Sequence, residues 1–180
     1  MAQEYYENWK KSARGQEQLK KWVYDPDGIL TGNGYISGVY EISYYNVKTA
    51  DEISAYIGQA GYCDTAPRYV AKDIYERVLQ HLKRWLGGVY FSYWTGLDPE
   101  ETNWKIKIEL LEEENIQSLR LKKETQYIAK KKPFMQDTAE GRFVKYPSKY
   151  GYKRNDLALH PWNNQRREAF LFRLDELSSM

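Results

Sequence analysis

The sequence is poor in the residues that build disulfide frameworks, zinc cages and membrane anchors. It contains one cysteine, Cys63, which excludes an intramolecular disulfide and a zinc site made of several cysteines. A lone thiol fits a reducing compartment. The chain has no secretory leader pattern and no apolar run long enough to cross a membrane. We therefore expect a soluble, cytoplasmic protein.

The sequence also lacks a strong overall charge, since the formal net charge is only +2. Positive charge is nevertheless concentrated in one tract, because residues 120–154 contain eleven Lys or Arg and only three Asp or Glu. Tyrosines alternate with basic residues in the stretch RFVKYPSKYGYKR. Such a tract can follow a phosphate backbone, although a solvated surface is the alternative. The candidate DNA contacts are Lys123, Lys145, Lys149, Lys153 and Arg154.

Aromatic residues are abundant and mostly carry a polar group, with 17 Tyr and 6 Trp against 5 Phe in 180 residues. This length fits one domain with extensions rather than two ordinary domains. Hydrophobic periodicity predicts a polar helix over residues 1–30 and an α+β core, a small central antiparallel sheet of about three strands flanked by helices. The predicted strands cover residues 35–45, 52–60 and 103–112, and the later helices cover residues 68–86, 115–132 and 165–177.

Several short motifs occur in one order along this core. The segment GVY at residues 38–40 precedes YIG at residues 56–58, and a predicted helix then carries Arg77 and His81 four residues apart. Glu124 follows on the next predicted helix, with KPFMQ after it. Each piece alone is weak, but the ordered set resembles the GIY-YIG nuclease family from about Gly38 to Gln136.

The resemblance implies a role for each matching residue. Tyr40 and Tyr56 correspond to the two motif tyrosines, and Arg77 corresponds to the catalytic arginine. His81 corresponds to a frequent helix histidine, and Glu124 corresponds to the glutamate that binds one Mg²⁺, for which Mn²⁺ can substitute. Two further positions have supporting roles, Gly58 and Gln136.

Two departures from the family pattern affect these assignments. The family usually has Asn after the proline, whereas Gln136 places its amide one methylene further out. The interval between Gly58 and Arg77 is longer than in compact members. We therefore expect residues 59–67 to form an insertion that contacts the substrate.

The same residues suit phosphodiester hydrolysis on chemical grounds. The reaction needs a positioned water, a group that takes its proton and positive charge for the transition-state oxygens. A hard cation on a carboxylate and an arginine supply the charge. Tyr40 can act as the base only where its surroundings favour the phenolate, because a phenol ordinarily ionises near pH 10, which is about three pH units above neutral.

These observations predict a metal-dependent endonuclease of double-stranded DNA, organised as an N-terminal helical arm (1–34), a nuclease core (35–137) and a basic C-terminal extension (138–180). The short flanks resemble the type II restriction branch of the family. That branch implies a homodimer, and a DNA methyltransferase encoded by a neighbouring gene rather than bound as a partner. The alternatives are a phage, mobile-element or repair nuclease, and a DNA-binding module without catalysis.

Overall fold

The computed structural model of the chain describes residues 2–31, 34–63, 72–87, 103–134 and 161–180. Its helices are α1 (Ala2–Lys11), α2 (Ala13–Trp22), α3 (Ile74–Gly87), α4 (Gln117–Lys131) and α5 (Pro161–Ser178). Its strands are β1 (Val23–Tyr24), β2 (Gly38–Asn46), β3 (Glu52–Ala60) and β4 (Trp104–Glu113). A short 3-10 helix covers Ile29–Thr31.

The strands form one mixed sheet in the order β1, β4, β2, β3. The α+β class is confirmed, but the described sheet has four strands rather than about three. The additional strand, β1, pairs in parallel with β4, so the sheet is not purely antiparallel. The predicted helix over residues 1–30 is therefore wrong at Val23 and Tyr24, because a strand of two residues is too short to show the alternation that identifies strands.

β2 is the central strand of the motif-bearing part of the sheet, because β3 and β4 both pair with it in the antiparallel sense. The strand predicted at residues 35–45 is present but begins at Gly38. Its alternating sequence is typical of a strand with one buried face, whereas the first seven residues of β2 are all buried. Both of its faces are covered. One face carries Tyr40, Ile42 and Tyr44 into the main core, and the other carries Val39 against Ile57 and Ile128.

The predicted helices are partly confirmed and partly corrected. The expected N-terminal helix is broken at Ser12, whose hydroxyl accepts a hydrogen bond from Gly15 N at 3.0 Å and caps α2. The helix predicted over residues 68–86 begins at Ile74, where the Asp73 carboxylate accepts a hydrogen bond from Glu76 N at 2.9 Å. Residues 68–71 of that prediction lie outside the described residues. The other elements agree closely, above all β3, which matches residues 52–60.

The segment expected to be an arm takes part in the core. Trp9 and Ile29 are both buried in the main hydrophobic cluster, together with residues of α3 and the sheet. Lys10 Nζ donates hydrogen bonds to Leu30 O at 2.7 Å and to Tyr75 Oη at 3.0 Å. These contacts fix α1 against α3, the helix that carries two candidate site residues. Within the described ranges, no helix is long and apolar enough to cross a lipid bilayer.

Candidate active site

Tyr40, Gly58 and Tyr56 lie together on one face of the sheet because of the register between β2 and β3. Tyr40 pairs with Gly58, and Ile42 pairs with Tyr56, and paired residues of antiparallel strands point to the same face. A Cβ atom at Gly58 would lie 2.6 Å from Tyr40 Oη and 2.8 Å from Tyr56 Cε1. Gly58 therefore leaves the space in which the Tyr40 phenol lies across β3.

His81 on α3 completes an aromatic cluster with the two tyrosines. The Tyr40 hydroxyl and His81 Nε2 are 3.2 Å apart, at hydrogen-bond distance. The rings of Tyr56 and His81 have centroids 4.6 Å apart, and those of Tyr40 and Tyr56 are 6.3 Å apart. The hydrophobic stripe of α3, which includes the fully buried Val78 and Leu82, packs into the main core and fixes this helix. The structure thus brings three sequence-predicted residues into direct proximity.

Arg77 lies one helical turn before His81 and has an exposed side chain. Its positive charge acts on the cluster by lowering the pKa of Tyr40. An exposed guanidinium beside a buried phenol can bind a phosphate from solvent while its charge acts on the groups beneath.

Several effects on the pKa of Tyr40 oppose that of Arg77. Burial is the largest and raises this pKa well above its usual range, and the neighbouring Tyr56 and the Glu124 carboxylate raise it further. Tyr40 is only 1% exposed. The net effect keeps the phenol protonated at neutral pH, so its proton needs an acceptor, and the adjacent imidazole nitrogen is in position to be one.

Glu124 approaches this cluster from α4, near enough for its charge to affect Tyr40. Burial raises the pKa of the Glu124 carboxyl, and it is the only cause of that shift. Among the described residues, no hydrogen bond or ion pair to this carboxylate is formed. Nearby Lys123 instead pairs with Glu112 at 2.7 Å and Glu114 at 3.0 Å.

This environment suits a metal ligand. A partly desolvated carboxylate without a cationic partner is costly, and a bound divalent cation would favour its charged form. Its hard oxygen atoms are the donors that Mg²⁺ prefers. Glu124 therefore fits the predicted ion.

A second acidic cluster lies on the opposite face of the sheet. Carboxylate oxygens of Glu41, Glu52 and Glu109 lie within 4.8 Å of one another. Each of them already has a lysine partner: Lys107 pairs with Glu52 at 3.3 Å and Glu109 at 3.1 Å, and Lys131 pairs with Glu41 at 2.5 Å. Successive residues of a strand point to opposite faces, so Glu41 points away from Tyr40. We assign no catalytic role to this cluster.

The basic tract is less uniform than its sequence indicates. Arg120, its first residue, is 2% exposed and is bonded inside the protein, so it does not belong to a surface stripe. Lys123 would have to exchange its two carboxylate partners for phosphates in order to contact DNA. The other candidate DNA contacts lie outside the described residues, namely Lys145, Lys149, Lys153 and Arg154. The supporting residue Gln136 also lies outside them.

Sequence reasoning missed Arg120 because arginine is rarely buried. One signal was present: Arg120 and Ile128 are eight residues apart, two helical turns, and therefore share the buried face of α4.

Comparison with known proteins found no matching family model, no similar curated protein and no similar solved structure. The resemblance to the GIY-YIG nucleases therefore depends on the sequence motifs of this chain alone.

Proposed function

We propose that this protein is a Mg²⁺-dependent endonuclease that hydrolyses phosphodiester bonds of double-stranded DNA. The observation that supports this most is the meeting of four kinds of group in one place. A buried phenol, Tyr40, is bonded to an imidazole, His81, beside an arginine, Arg77, and a carboxylate without a described partner, Glu124. The phenol and the imidazole together can accept a proton, the arginine supplies positive charge, and the carboxylate can bind a hard cation.

Tyr40 and His81 act as a pair in this proposal. With the tautomer that leaves Nε2 unprotonated, the Tyr40 hydroxyl donates its hydrogen bond to His81, and its oxygen can accept a bond from the attacking water. As the water oxygen bonds to phosphorus, its proton passes to Tyr40 and the phenol proton passes to His81. The bond between phosphorus and the leaving oxygen breaks, and that oxygen takes up a proton from solvent, to which His81 later returns the proton that it received. No phenolate needs to exist beforehand.

Burial places one requirement on this mechanism. Because Tyr40 is 1% exposed, DNA binding must open a path for the reacting water to its hydroxyl. Tyr56 packs against His81 and hydrogen-bonds to Tyr40. We assign it the role of orienting these two groups, and the proton passes between Tyr40 and His81.

Positive charge for the transition state comes from Arg77 and from the metal ion that Glu124 would hold. Arg77 is exposed on α3, where its guanidinium can donate two parallel hydrogen bonds to phosphate oxygens. When bound, the ion would polarise the phosphoryl group and neutralise developing negative charge.

We further propose that the enzyme is a type II restriction endonuclease acting as a homodimer, with Mn²⁺ able to replace Mg²⁺. The segments that flank the predicted nuclease core in the sequence, 1–34 and 138–180, would then supply specificity. A two-fold dimer would cut both strands of a short palindrome. A phage, mobile-element or repair nuclease uses the same chemistry and differs in its DNA target.

The proposal competes with a DNA-binding module that has lost catalysis. The absence of a described partner for Glu124 argues against that alternative, because a binding surface gains nothing from a partly buried carboxylate near DNA phosphates. The two are separated by incubating supercoiled plasmid with the protein in Mg²⁺, with EDTA and with the Glu124→Gln variant as controls. Nicked and linear products in Mg²⁺ alone support the nuclease. Plasmid that is bound but never cut supports the binding module.

A further inference from the structure

Arg120 is a buried cation in the first turns of α4, and its hydrogen bonds join three separate parts of the chain. It donates from Nε to Gln59 Oε1 at 2.9 Å, and from Nη1 to Ser37 Oγ at 3.0 Å. It also donates to the carbonyl oxygens of Glu114 at 3.3 Å, Asn115 at 3.0 Å and Tyr62. Among the described residues these acceptors are all uncharged.

Each of the three parts continues directly into a candidate site residue. Ser37 stands three residues before Tyr40, and Gln59 follows Gly58. On α4, Glu124 stands four residues after Arg120, one turn along the same helix face. Arg120 is therefore the point at which β2, β3 and α4 are fixed relative to one another.

The backbone at Gly61 passes close to the Arg120 side chain and to Ser37. Gly61 has φ of +144°, and a Cβ atom there would lie 1.7 Å from Ser37 Oγ and 3.0 Å from Arg120 Nη1. Only glycine allows the chain after β3 to pass this close to the guanidinium.

Stability alone does not account for a buried arginine at this position. Well-packed apolar residues generally stabilise a core as well as buried charges do, or better. A guanidinium instead provides donors in a rigid planar fork, which defines the directions of several partners at once. The arrangement thus favours geometrical precision over stability.

We propose that Arg120 is a positioning residue that sets Glu124 relative to Tyr40, and thereby sets the affinity of the site for its metal ion. This role rests on the proposed function. Replacing a hydrogen-bond partner of a metal ligand typically changes metal affinity by about 10- to 100-fold. Arg120 acts on Glu124 through one turn of α4, so we expect an effect at the lower end of that range.

The test has two readouts, the Mg²⁺ dissociation constant from calorimetry without DNA and the Mg²⁺ concentration that gives half-maximal DNA cleavage. Each midpoint is measured for wild type, Arg120→Lys and Gln59→Leu. Lysine keeps the charge but loses the fork, so we expect a midpoint at least about tenfold higher, with most of the rate recovered at saturating Mg²⁺. Gln59→Leu removes one acceptor and should shift the midpoint in the same direction by less. The matched control is Gln126→Leu on the exposed side of α4, which should leave the midpoint unchanged.

The outcomes separate this role from the proposed function. A wild type that never cuts DNA overturns both. An active wild type whose midpoint is unchanged in folded Arg120→Lys and in Gln59→Leu overturns the role of Arg120 alone. Should Arg120→Lys fail to fold, Gln59→Leu decides. A loss of rate that saturating Mg²⁺ does not restore also contradicts the proposal, because it indicates general damage to the fold.

Discussion

The replacement Gly58→Ala tests the packing of the candidate site with a single added methyl group. Its Cβ would lie 2.6 Å from Tyr40 Oη and 2.7 Å from Tyr40 Cζ, whereas carbon atoms in contact are ordinarily separated by about 3.5 Å or more. The Tyr40 ring must therefore move by roughly 1 Å. The ring is only 1% exposed, so it cannot turn into solvent to make this room.

Two losses should follow, and they can be measured separately. Overpacking of this kind costs about 1–3 kcal/mol of unfolding free energy, or roughly 3 °C of melting temperature per kcal/mol for a chain of this size. Moving the Tyr40 hydroxyl away from His81 should also slow cleavage, by up to about 100-fold for a misplacement of 1 Å.

The control for Gly58→Ala is Ile106→Val, a buried position on β4 that pairs with Tyr44 rather than Tyr40. It should cost about 0.5–1.5 kcal/mol and leave the cleavage rate nearly unchanged. The assays are thermal unfolding and single-turnover cleavage of a plasmid at a temperature where all variants are folded. Gly58→Ala with wild-type stability and rate would falsify the described packing of Tyr40 over β3. Equal rate losses in both variants would show that activity follows stability alone.

Three further predictions concern charge. Glu124→Gln should abolish cleavage but leave DNA binding in Ca²⁺ largely intact, and cleavage near the wild-type rate would refute the metal assignment. Burial raises the pKa of Glu124 above 4.5, so its ionisation lowers stability as pH rises through that range. Urea unfolding in EDTA should therefore show that Glu124→Gln gains stability relative to wild type between acid and neutral pH. Equal or lower stability of the variant at neutral pH would contradict this. The last prediction concerns four C-terminal basic residues, Lys145, Lys149, Lys153 and Arg154. Neutralising them should lower the slope of log affinity against log salt by roughly 0.9 per lost phosphate contact. An unchanged slope would place them on a solvated face.

Much of the fold follows from local patterns in the sequence. The residues of β3 alternate cleanly, with Ile53, Ala55 and Ile57 buried, and this strand was predicted at its observed bounds. The stripe through Ile74, Val78 and Leu82 likewise identified α3. Neither pattern could reveal that β2 is covered on both faces, because burial of the second face depends on α4, which lies far away in the chain.

The candidate site was predictable as a set of residues but not as a geometry. Motif order singled out Tyr40, Tyr56 and His81, and only the strand register and the packing of α3 place their rings together. Arg120 was not predicted as a site residue, because no motif includes it. In the sequence it is one basic residue among several. Its acceptors come from two distant segments, around Ser37 and around Gln59 and Tyr62, and from the residues just before α4.

The pH dependence of cleavage distinguishes the paired mechanism from a lone phenolate. A phenolate base with the raised pKa of Tyr40 would make the rate climb throughout the alkaline range. Transfer through His81 should instead make the rate level off closer to neutral pH, since imidazole groups ordinarily titrate at about pH 6.5. A continued alkaline rise would remove His81 from the proton path and leave Tyr40 as the base.

The central claim is that the Tyr40 hydroxyl takes part in phosphodiester cleavage, and its most direct test is the single-turnover rate of Tyr40→Phe at saturating Mg²⁺. Phenylalanine keeps the buried ring and removes only the hydroxyl, so the variant should fold like wild type. We expect its rate to fall by about 10²- to 10⁴-fold, the usual contribution of a general base, while Tyr56→Phe loses much less. A folded Tyr40→Phe variant that keeps most of the wild-type rate would contradict the account and place the base elsewhere.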